Sequence, residues 1–218
     1  PAVKSYRHAR PDELPEGYKD GFVVEVPRIE TPVYMRYLVG RFKESGGRME
    51  KLETELDSLD GLAAGDEILV NCTGLGSRKL CGDENVYPIR GQLVRVSNPG
   101  LTKCLSDESG PLGLSYIVPR YEDCILGGTA EENNWSLDVD PGTAAEILRK
   151  CSILERRIKD AEVLGHSVGL RPGRTEVRLE KGETPNGHPV IHNYGHGGGG
   201  FTLSWGCAGE VLEIARGI

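Results

Sequence analysis

The sequence lacks most features that mark common functional classes. Its 218 residues carry a net charge of −7 and no run of Lys and Arg, which argues against nucleic acid and anionic membranes as partners because both bind clustered positive charge. No run of 18 apolar residues and no signal peptide is present. These absences favour a soluble protein of one large or two small domains that acts on small molecules.

The six cysteines lack the spacing of a metal site or a redox pair. None forms a CxxC motif, and several lie in apolar runs. We expect reduced thiols and an intracellular location, cytoplasmic in a bacterium or peroxisomal in a eukaryote, although no SKL-like signal ends this chain. His192 and His196 have no third ligand nearby in the sequence, so no metal site is expected. A GxSxG motif and a Ser/His/Asp arrangement are also missing, which leaves hydrolase chemistry unsupported.

Cap and turn signals predict three helices among many short strands. The first helix covers residues 30–47, with Thr31 as its N-cap and an apolar stripe of Met35, Leu38, Val39 and Phe42. The second runs from 140 to 157, with Ala144, Ile147, Leu148, Cys151 and Leu154 on one face, and the third starts near Gly200. Strands are predicted near 21–27, 66–72, 90–96, 114–119, 123–129, 161–170, 174–180 and 189–193. This order fits an α+β fold with a mainly antiparallel mixed sheet.

Glycine is the residue in excess, with 30 in the chain and five in the six positions 195–200. Gly195, Gly197 and Gly200 match the GxGxxG pattern of dinucleotide-binding folds. The residues after Gly200 predict one helix, however, without the second strand that a βαβ unit needs. One interpretation is a turn into a helix. The other is a bare backbone surface at a helix N-terminus, against which a flat ligand that becomes anionic can lie.

Arginines and a tyrosine give further candidates. Arg171, Arg174 and Arg178 are close in sequence, and a solvated or salt-bridged arginine is the ordinary interpretation of each. Arg171 follows an apolar run that should hold it near the interior, where a guanidinium needs an anion such as a substrate carboxylate. Arg174 and Arg178 would share one face of a strand. Tyr116, flanked by apolar residues, is either a core tyrosine or a hydroxyl that faces a pocket.

Three segments together resemble the FAD-dependent D-amino-acid oxidase family. They are VNCTGLGS at 70–77, GLRPGRTEVRLE at 169–180 and HNYGHGGGGFTLSWG at 192–206, and YIVPRYEDCILGGTAEENNW at 116–135 adds to the match. The similarity runs from about Gly21 to the end and is closest to microbial members. The family also begins with a βαβ unit that carries its own GxGxxG. Since that unit is not found here, the chain is expected to correspond to the C-terminal two thirds of such an enzyme.

The resemblance implies a role for each matching position. Arg171 matches the arginine that binds the substrate α-carboxylate, Tyr116 the tyrosine that assists it, and Gly198 the position whose carbonyl receives the substrate amino group. Contacts with FAD are implied for Asn71, Cys72, Thr73, Gly74, Leu56, Gly197, Gly199, Gly200, Phe201 and Thr202. Among these, Thr202 matches a contact with the pyrimidine end of the flavin, and Leu56 a backbone contact with adenine.

The implied reaction is oxidation of a D-amino acid by hydride transfer from Cα to FAD, followed by release of H2O2, ammonia and a 2-oxo acid. Ala130 and Ser109 do not match the arginines of D-aspartate oxidases, which favours neutral D-amino acids. A D-aspartate or glycine oxidase and a non-catalytic remnant are the alternatives.

The resemblance also predicts a domain organisation. Residues 1–60 are expected to be a lead-in and interdomain region, 61–85 a strand and loop of a Rossmann-like FAD domain, 86–185 the substrate-binding domain, and 186–218 the return to the FAD domain. The implied partners are a D-amino acid, O2 and an N-terminal FAD-binding segment. A homodimer is left open.

Overall fold

The computed structural model describes residues 3–218, and contacts divide the chain into two compact units. Unit 1 comprises the chain up to Glu53, Val94–Gly127 and Pro141–His166, and unit 2 comprises Thr54–Leu93, Gly128–Asp140 and Ser167–Ile218. Each unit therefore collects segments that are far apart in the sequence. The assignment of 1–60, 61–85, 86–185 and 186–218 to FAD or to substrate stays a prediction.

Groups of one to five strands separate the helices. The helices are α1 (Thr31–Glu44), α2 (Ser77–Leu80), α3 (Pro141–Leu154) and α4 (Gly200–Arg216). The strands are β1 (Ser5–His8), β2 (Phe22–Glu25), β3 (Leu69–Asn71), β4 (Tyr87–Ser97), β5 (Leu105–Asp107), β6 (Ser115–Pro119), β7 (Asp123–Gly127), β8 (Glu131–Glu132), β9 (Val163–Gly173), β10 (Arg178–Glu183) and β11 (Pro189–Tyr194). The predicted α+β class is confirmed.

Unit 1 is built on an antiparallel sheet covered by α3. Strand β6 pairs with β5 and β7, and β7 pairs with residues 94–97 of β4. The fully buried Ile117 and Leu126 are partners in register. Helix α3 packs against β6 and β7 and buries four residues of the predicted stripe, Ala144, Ile147, Cys151 and Leu154. Spacing of three and four residues puts these side chains on one face, and this confirms the predicted helix.

Helix α1 has the predicted position, and its apolar stripe is partly exposed. None of its residues is buried, and Met35 and Phe42 are 46% and 49% exposed. Its N-cap is Glu30, one residue before the predicted Thr31. Leu38 and Val39 are half-buried, so the apolar stripe is only partly covered in the described part of the chain.

Unit 2 contains a three-stranded sheet in the order β10, β11 and β3. Strand β11 is antiparallel to β10 and parallel to β3, with His192 opposite Asn71. Helix α4 packs against β10 and β11. Within residues 3–218, no helix combines the length and apolar content that a membrane crossing needs.

One strand begins later than predicted. The sequence placed a strand at 174–180, whereas residues 174–177 form a turn and β10 starts at Arg178. In this turn Arg174 Nη1 donates to the carbonyl of Glu176 at 2.8 Å. Arg174 and Arg178 therefore do not share one strand face, because only Arg178 belongs to β10.

Candidate functional site

Arg171 lies near the end of β9, where its guanidinium covers the backbone of β4. A Cβ built on Gly91 would lie 2.4 Å from both Nη1 and Nη2 of Arg171, so only glycine leaves room for the guanidinium. Arg171 Nη1 donates to the carbonyl of Thr129 at 3.0 Å. No carboxylate among residues 3–218 forms an ion pair with it. The remaining N–H groups are therefore available to an anion, and a carboxylate fits their planar fork.

An open groove of about 230 Å³ lies beside this guanidinium. It is lined by Gly91, Leu93 and residues 167–171. Arg171 is the charged residue of this lining, and the others are small or apolar except Ser167. The groove therefore suits a small molecule with one anionic group and a neutral remainder.

The glycine loop, residues 195–200, connects β11 to α4. Gly195 and Gly197 have φ angles of +87° and +52°, in the region that favours glycine. Gly197–Gly199 form a 3-10 turn, and α4 starts at Gly200. A Cβ built on Gly198 would lie 3.8 Å from Arg171 Cδ. The structure thus brings together two of the predicted substrate-binding residues.

The end of this loop fits a flat, anionic group. Four consecutive glycines, 197–200, offer backbone without side chains ahead of the 17-residue helix α4. The N-cap, Gly199, has no side chain that could accept from the first N–H groups of α4. Their partial positive charge therefore stays available to a ligand. Phe201 and Thr202, in the first turn, are exposed. These residues could hold a dinucleotide cofactor such as FAD at the helix terminus.

The second predicted cofactor segment is a turn shaped by Asn71. Its side chain is buried, and Oδ1 accepts from Thr73 N at 3.1 Å and from Thr73 Oγ1 at 2.7 Å. Nδ2 donates to Ser77 Oγ at 3.2 Å. The amide thus fixes the turn, while Cys72 and Thr73 are exposed. Any contact of this segment with a ligand falls to them and to Gly74 rather than to the Asn71 amide.

The turn at Asn71 also touches the strand of Arg171. Gly74 has a φ of +56°, and a Cβ there would lie 3.6 Å from Pro172 Cβ. Leu56 lies half-buried in an irregular segment of the same unit. Its predicted adenine contact stays a prediction.

Tyr116 belongs to unit 1, where its ring lies on the neighbouring strand. Gly127 is its partner in register, and a Cβ there would lie 2.1 Å from Tyr116 Cζ. The side chain is half-buried in β6. Both interpretations of this tyrosine therefore stay open, and its role beside Arg171 stays a prediction.

Sequence reasoning missed two residues that shape the site, Gly91 and Asp83. Gly91 lies inside β4, and an isolated glycine in a strand pattern is a signal for close approach of another group. Asp83 is a buried carboxylate that binds Arg174 at 3.0 Å, so the ordinary interpretation of that arginine holds. Nothing in the local sequence distinguishes Asp83. In the described residues, no three His, Cys, Asp or Glu side chains are grouped so that they could hold a metal ion.

Comparison with known protein families matches residues 4–214 to the DAO family, described as FAD dependent oxidoreductase. The chain belongs to this family. The resemblance read from the three motifs is thereby confirmed, and FAD is the cofactor of the family.

Individual relatives agree with this assignment to the DAO family. A D-amino-acid oxidase of Rubrobacter xylanophilus is 52% identical over 214 residues, which cover 98% of this chain and 65% of the relative. A D-aspartate oxidase of Homo sapiens is 40% identical over 192 residues, which cover 87% of this chain and 54% of the relative. The chain thus spans less than two thirds of the length of these relatives.

A solved structure shows the same fold. An iminodiacetate oxidase of Chelativorans sp. BNC1 superposes on this chain with a TM-score of 0.71 and 18% identity. The match covers 100% of this chain and 65% of that one. At this identity the likeness extends to the DAO family fold alone.

Proposed function

We propose that the protein containing this chain oxidises neutral D-amino acids with FAD. In the overall reaction a D-amino acid, O2 and water give a 2-oxo acid, ammonia and H2O2. The observation that supports this most is the approach of Arg171 to Gly198, because it sets a carboxylate-binding side chain beside bare backbone. An α-amino acid presents a matching pair, a carboxylate and an amino group, on one carbon atom.

The chain's own residues would bind and orient the substrate. Arg171 receives the α-carboxylate through two parallel N–H bonds, and the backbone carbonyl of Gly198 accepts from the amino group. Tyr116 is proposed as a second donor to the carboxylate. Held at two points, the substrate has a fixed Cα orientation, and such positioning supplies much of the rate in reactions without a general base.

FAD when bound would supply the acceptor for the hydride, with its two electrons, that leaves Cα. The residues proposed to hold FAD are Leu56, the exposed part of the turn Asn71–Gly74, and the glycine loop with the first turn of α4. That turn contributes Phe201 and Thr202. With FAD bound there, the dipole of α4 would favour the anionic form of its ring system.

The preference for neutral side chains rests on the charges near Arg171. The groove lining contains no other cation in the described residues of unit 2. A second carboxylate, as in D-aspartate, would enter this groove unpaired, at a cost in desolvation. The relation to human D-aspartate oxidase supports the competing candidate, and a substrate panel separates the two.

The test is oxidase activity of the natural full-length polypeptide loaded with FAD. We expect H2O2 and the matching 2-oxo acid from D-alanine and D-methionine, with lower kcat/KM for D-aspartate and glycine. A higher kcat/KM for D-aspartate would replace the neutral preference with the acidic one. Absence of H2O2 from every D-amino acid, in a preparation that shows flavin absorbance, would refute the proposal.

Arg171→Ala tests the carboxylate contact. Truncating one partner of a hydrogen-bonded charge pair costs about 2–5 kcal/mol, so we expect kcat/KM for D-alanine to fall by about 30-fold to several thousandfold. Flavin absorbance should persist, because the FAD contacts are proposed elsewhere. Arg149→Ala is the control, since Arg149 pairs on the surface with Glu146. Equal kcat/KM in both variants would exclude Arg171 from substrate binding.

We also propose that activity requires a further FAD-binding segment, because the chain spans 65% of its oxidase relative. Adding that segment as a separate polypeptide should restore flavin binding to the chain.

An intracellular location is proposed from the free thiols, two of which, Cys72 and Cys104, are exposed. Cell fractionation tests it, and recovery of the protein outside the cell would refute it.

A further inference from the structure

A buried carboxylate connects the strand of Arg171 to the glycine loop. Asp83 follows α2, and its side chain is 5% exposed. Its Oδ2 accepts from Arg174 Nε at 3.0 Å and from the Tyr194 hydroxyl at 2.8 Å. Arg174 stands three residues after Arg171, and Tyr194 directly precedes Gly195. One oxygen atom therefore binds both segments that carry the proposed substrate contacts.

Arg178 holds the tyrosine in this arrangement from a second side. Its Nη1 donates to the Tyr194 hydroxyl at 2.7 Å, and its Cζ lies 5.7 Å from the centre of the Tyr194 ring. Tyr194 is 1% exposed. Its hydroxyl thus donates to Asp83 while it accepts from Arg178, which leaves the ring one orientation.

The backbone at Gly195 packs against the side chain of Arg174. Gly195 has a φ of +87°, and a Cβ there would lie 2.8 Å from Arg174 Cβ. The stem of Arg174 therefore packs directly on the first residue of the glycine loop. Because the far end of the same side chain is bound to Asp83, a shift of the carboxylate would move the loop.

Charge keeps this connection in place near neutral pH. Burial alone would raise the pKa of Asp83, but the hydrogen bonds from Tyr194 and Arg174 outweigh it and hold the pKa below its usual range. Burial raises the pKa of Tyr194 to about 12, so its hydroxyl keeps its proton. Asp83 is thus an anion with its donors fixed around it.

We propose that Asp83 is a positioning residue that sets the distance between the Arg171 guanidinium and Gly198. Its consequence for catalysis rests on the proposed function, whereas its effect on the loop does not. A network whose members are all hydrogen-bonded restricts its neighbours to one arrangement. A substrate held at two points needs that arrangement, because small displacements of a bound substrate slow its reaction.

The experiment compares two carboxylate variants in the natural full-length holoenzyme. Asp83→Asn keeps the shape and one acceptor but removes the charge. Asp123→Asn in unit 1 is the matched control, since Asp123 is 12% exposed and accepts from Arg120 Nε and Nη2 at 2.6 Å each. Two readouts are taken: hydrogen exchange at residues 194–199 without substrate, and the limiting rate of anaerobic flavin reduction by D-alanine with the substrate Kd.

We expect faster exchange at 194–199 in Asp83→Asn and a limiting reduction rate lower by about tenfold to hundredfold. Asp123→Asn should lower Tm and leave both readouts at the wild-type value. If Asp83→Asn also lowers Tm alone, with loop exchange and reduction rate unchanged, the positioning role is wrong. Tyr194→Phe, which removes one donor and keeps the ring, gives the same test if Asp83→Asn does not fold.

This experiment can refute either proposal without refuting the other. A wild-type holoenzyme whose flavin is not reduced by any D-amino acid overturns the proposed function. Loop exchange then still decides the positioning role, because that measurement needs no turnover.

Discussion

The two units differ in how many polar side chains they bury. Unit 1 is held by one apolar cluster from the sheet, α3 and the segment after it: Val94, Val96, Leu101, Ile117, Cys124, Leu126, Ala144, Ile147, Cys151, Leu154 and Ile158. Unit 2 buries most of the polar residues that are hidden from solvent, namely Asn71, Ser77, Asp83, Arg90, Gln92, Thr184 and His192. Apolar packing stabilises without preferring a direction, whereas hydrogen bonds fix directions. Arg171 and Gly198 belong to unit 2, in which hydrogen bonds fix the orientation of buried side chains.

A second polar network of unit 2 shows the same principle. Arg90 is 3% exposed and donates to Glu131 at 2.8 Å and to the carbonyl of Ser136 at 3.1 Å. Gln92 exchanges two hydrogen bonds with the backbone of Asp140, at 2.8 Å and 2.9 Å. These bonds hold the segment 128–140, which contains the Thr129 carbonyl that accepts from Arg171. The position of the Arg171 guanidinium therefore depends on several buried polar groups at once.

The largest expected effect is on stability, from a cavity in the apolar cluster of unit 1. Ile117→Ala removes a fully buried side chain from the apolar cluster, and such truncations cost about 2–5 kcal/mol in the free energy of unfolding. Ile153→Ala on α3 is the control, because Ile153 is 38% exposed. Urea unfolding should show the larger loss for Ile117→Ala, with unchanged KM per folded molecule. A similar loss in both variants would mean that this cluster does not dominate the stability of unit 1.

A smaller effect on stability and a clear effect on binding are expected from Gly91→Ala. The new Cβ would lie 2.4 Å from the Arg171 guanidinium, which is the mobile end of a long side chain and can move away. We expect KM for D-alanine to rise about tenfold, equivalent to ~1.4 kcal/mol, while Tm changes little. Gly40→Ala in α1 is the control, as no atom lies within 4 Å of its Cβ position. Equal KM values in the two variants would contradict the contact.

The smallest expected effect concerns His192 and pH. Burial lowers the pKa of His192, helped by the charge of Arg178 and opposed by Glu180 and Asp83. The unfolded chain therefore binds this proton first, near pH 6.5, and the free energy of unfolding falls below that pH by at most ~1.4 kcal/mol per pH unit. Above pH 6.5 the contribution is fully present.

His192→Gln should flatten this dependence between pH 6.5 and 5 in urea unfolding. Burial also lowers the pKa of His196, so part of the wild-type slope should remain. An unaltered slope in His192→Gln would show that the buried imidazole does not resist protonation.

Much of the fold follows from local patterns. The spacing of Ala144, Ile147, Cys151 and Leu154 predicts the buried face of α3, and all four are buried there. The glycines after β11 likewise predict a turn into a helix, and α4 begins at Gly200. These features depend on residues within a few turns of each other, which is the range that periodicity and capping report.

The remaining features depend on contacts between distant positions. Asp83 meets Arg174 across 91 residues, and Gly91 makes room for Arg171 in another strand. Helix α1 is a related case, because its apolar stripe correctly predicts a helix, yet none of its residues is buried. Periodicity reports the face that a helix could bury, whereas the partner for that face is decided elsewhere in the chain.

The interleaving of the two units makes the intrinsic fluorescence selective. The chain has two tryptophans, Trp135 and Trp205, and both lie in segments of unit 2. Both are more than half exposed, at 53% and 71%, so the small change in their emission on unfolding reports unit 2, whereas far-ultraviolet circular dichroism follows the helices of both units. Superimposable curves from the two signals would show a single cooperative transition, and separate curves would show that a chain threaded back and forth between two units can still melt in two stages.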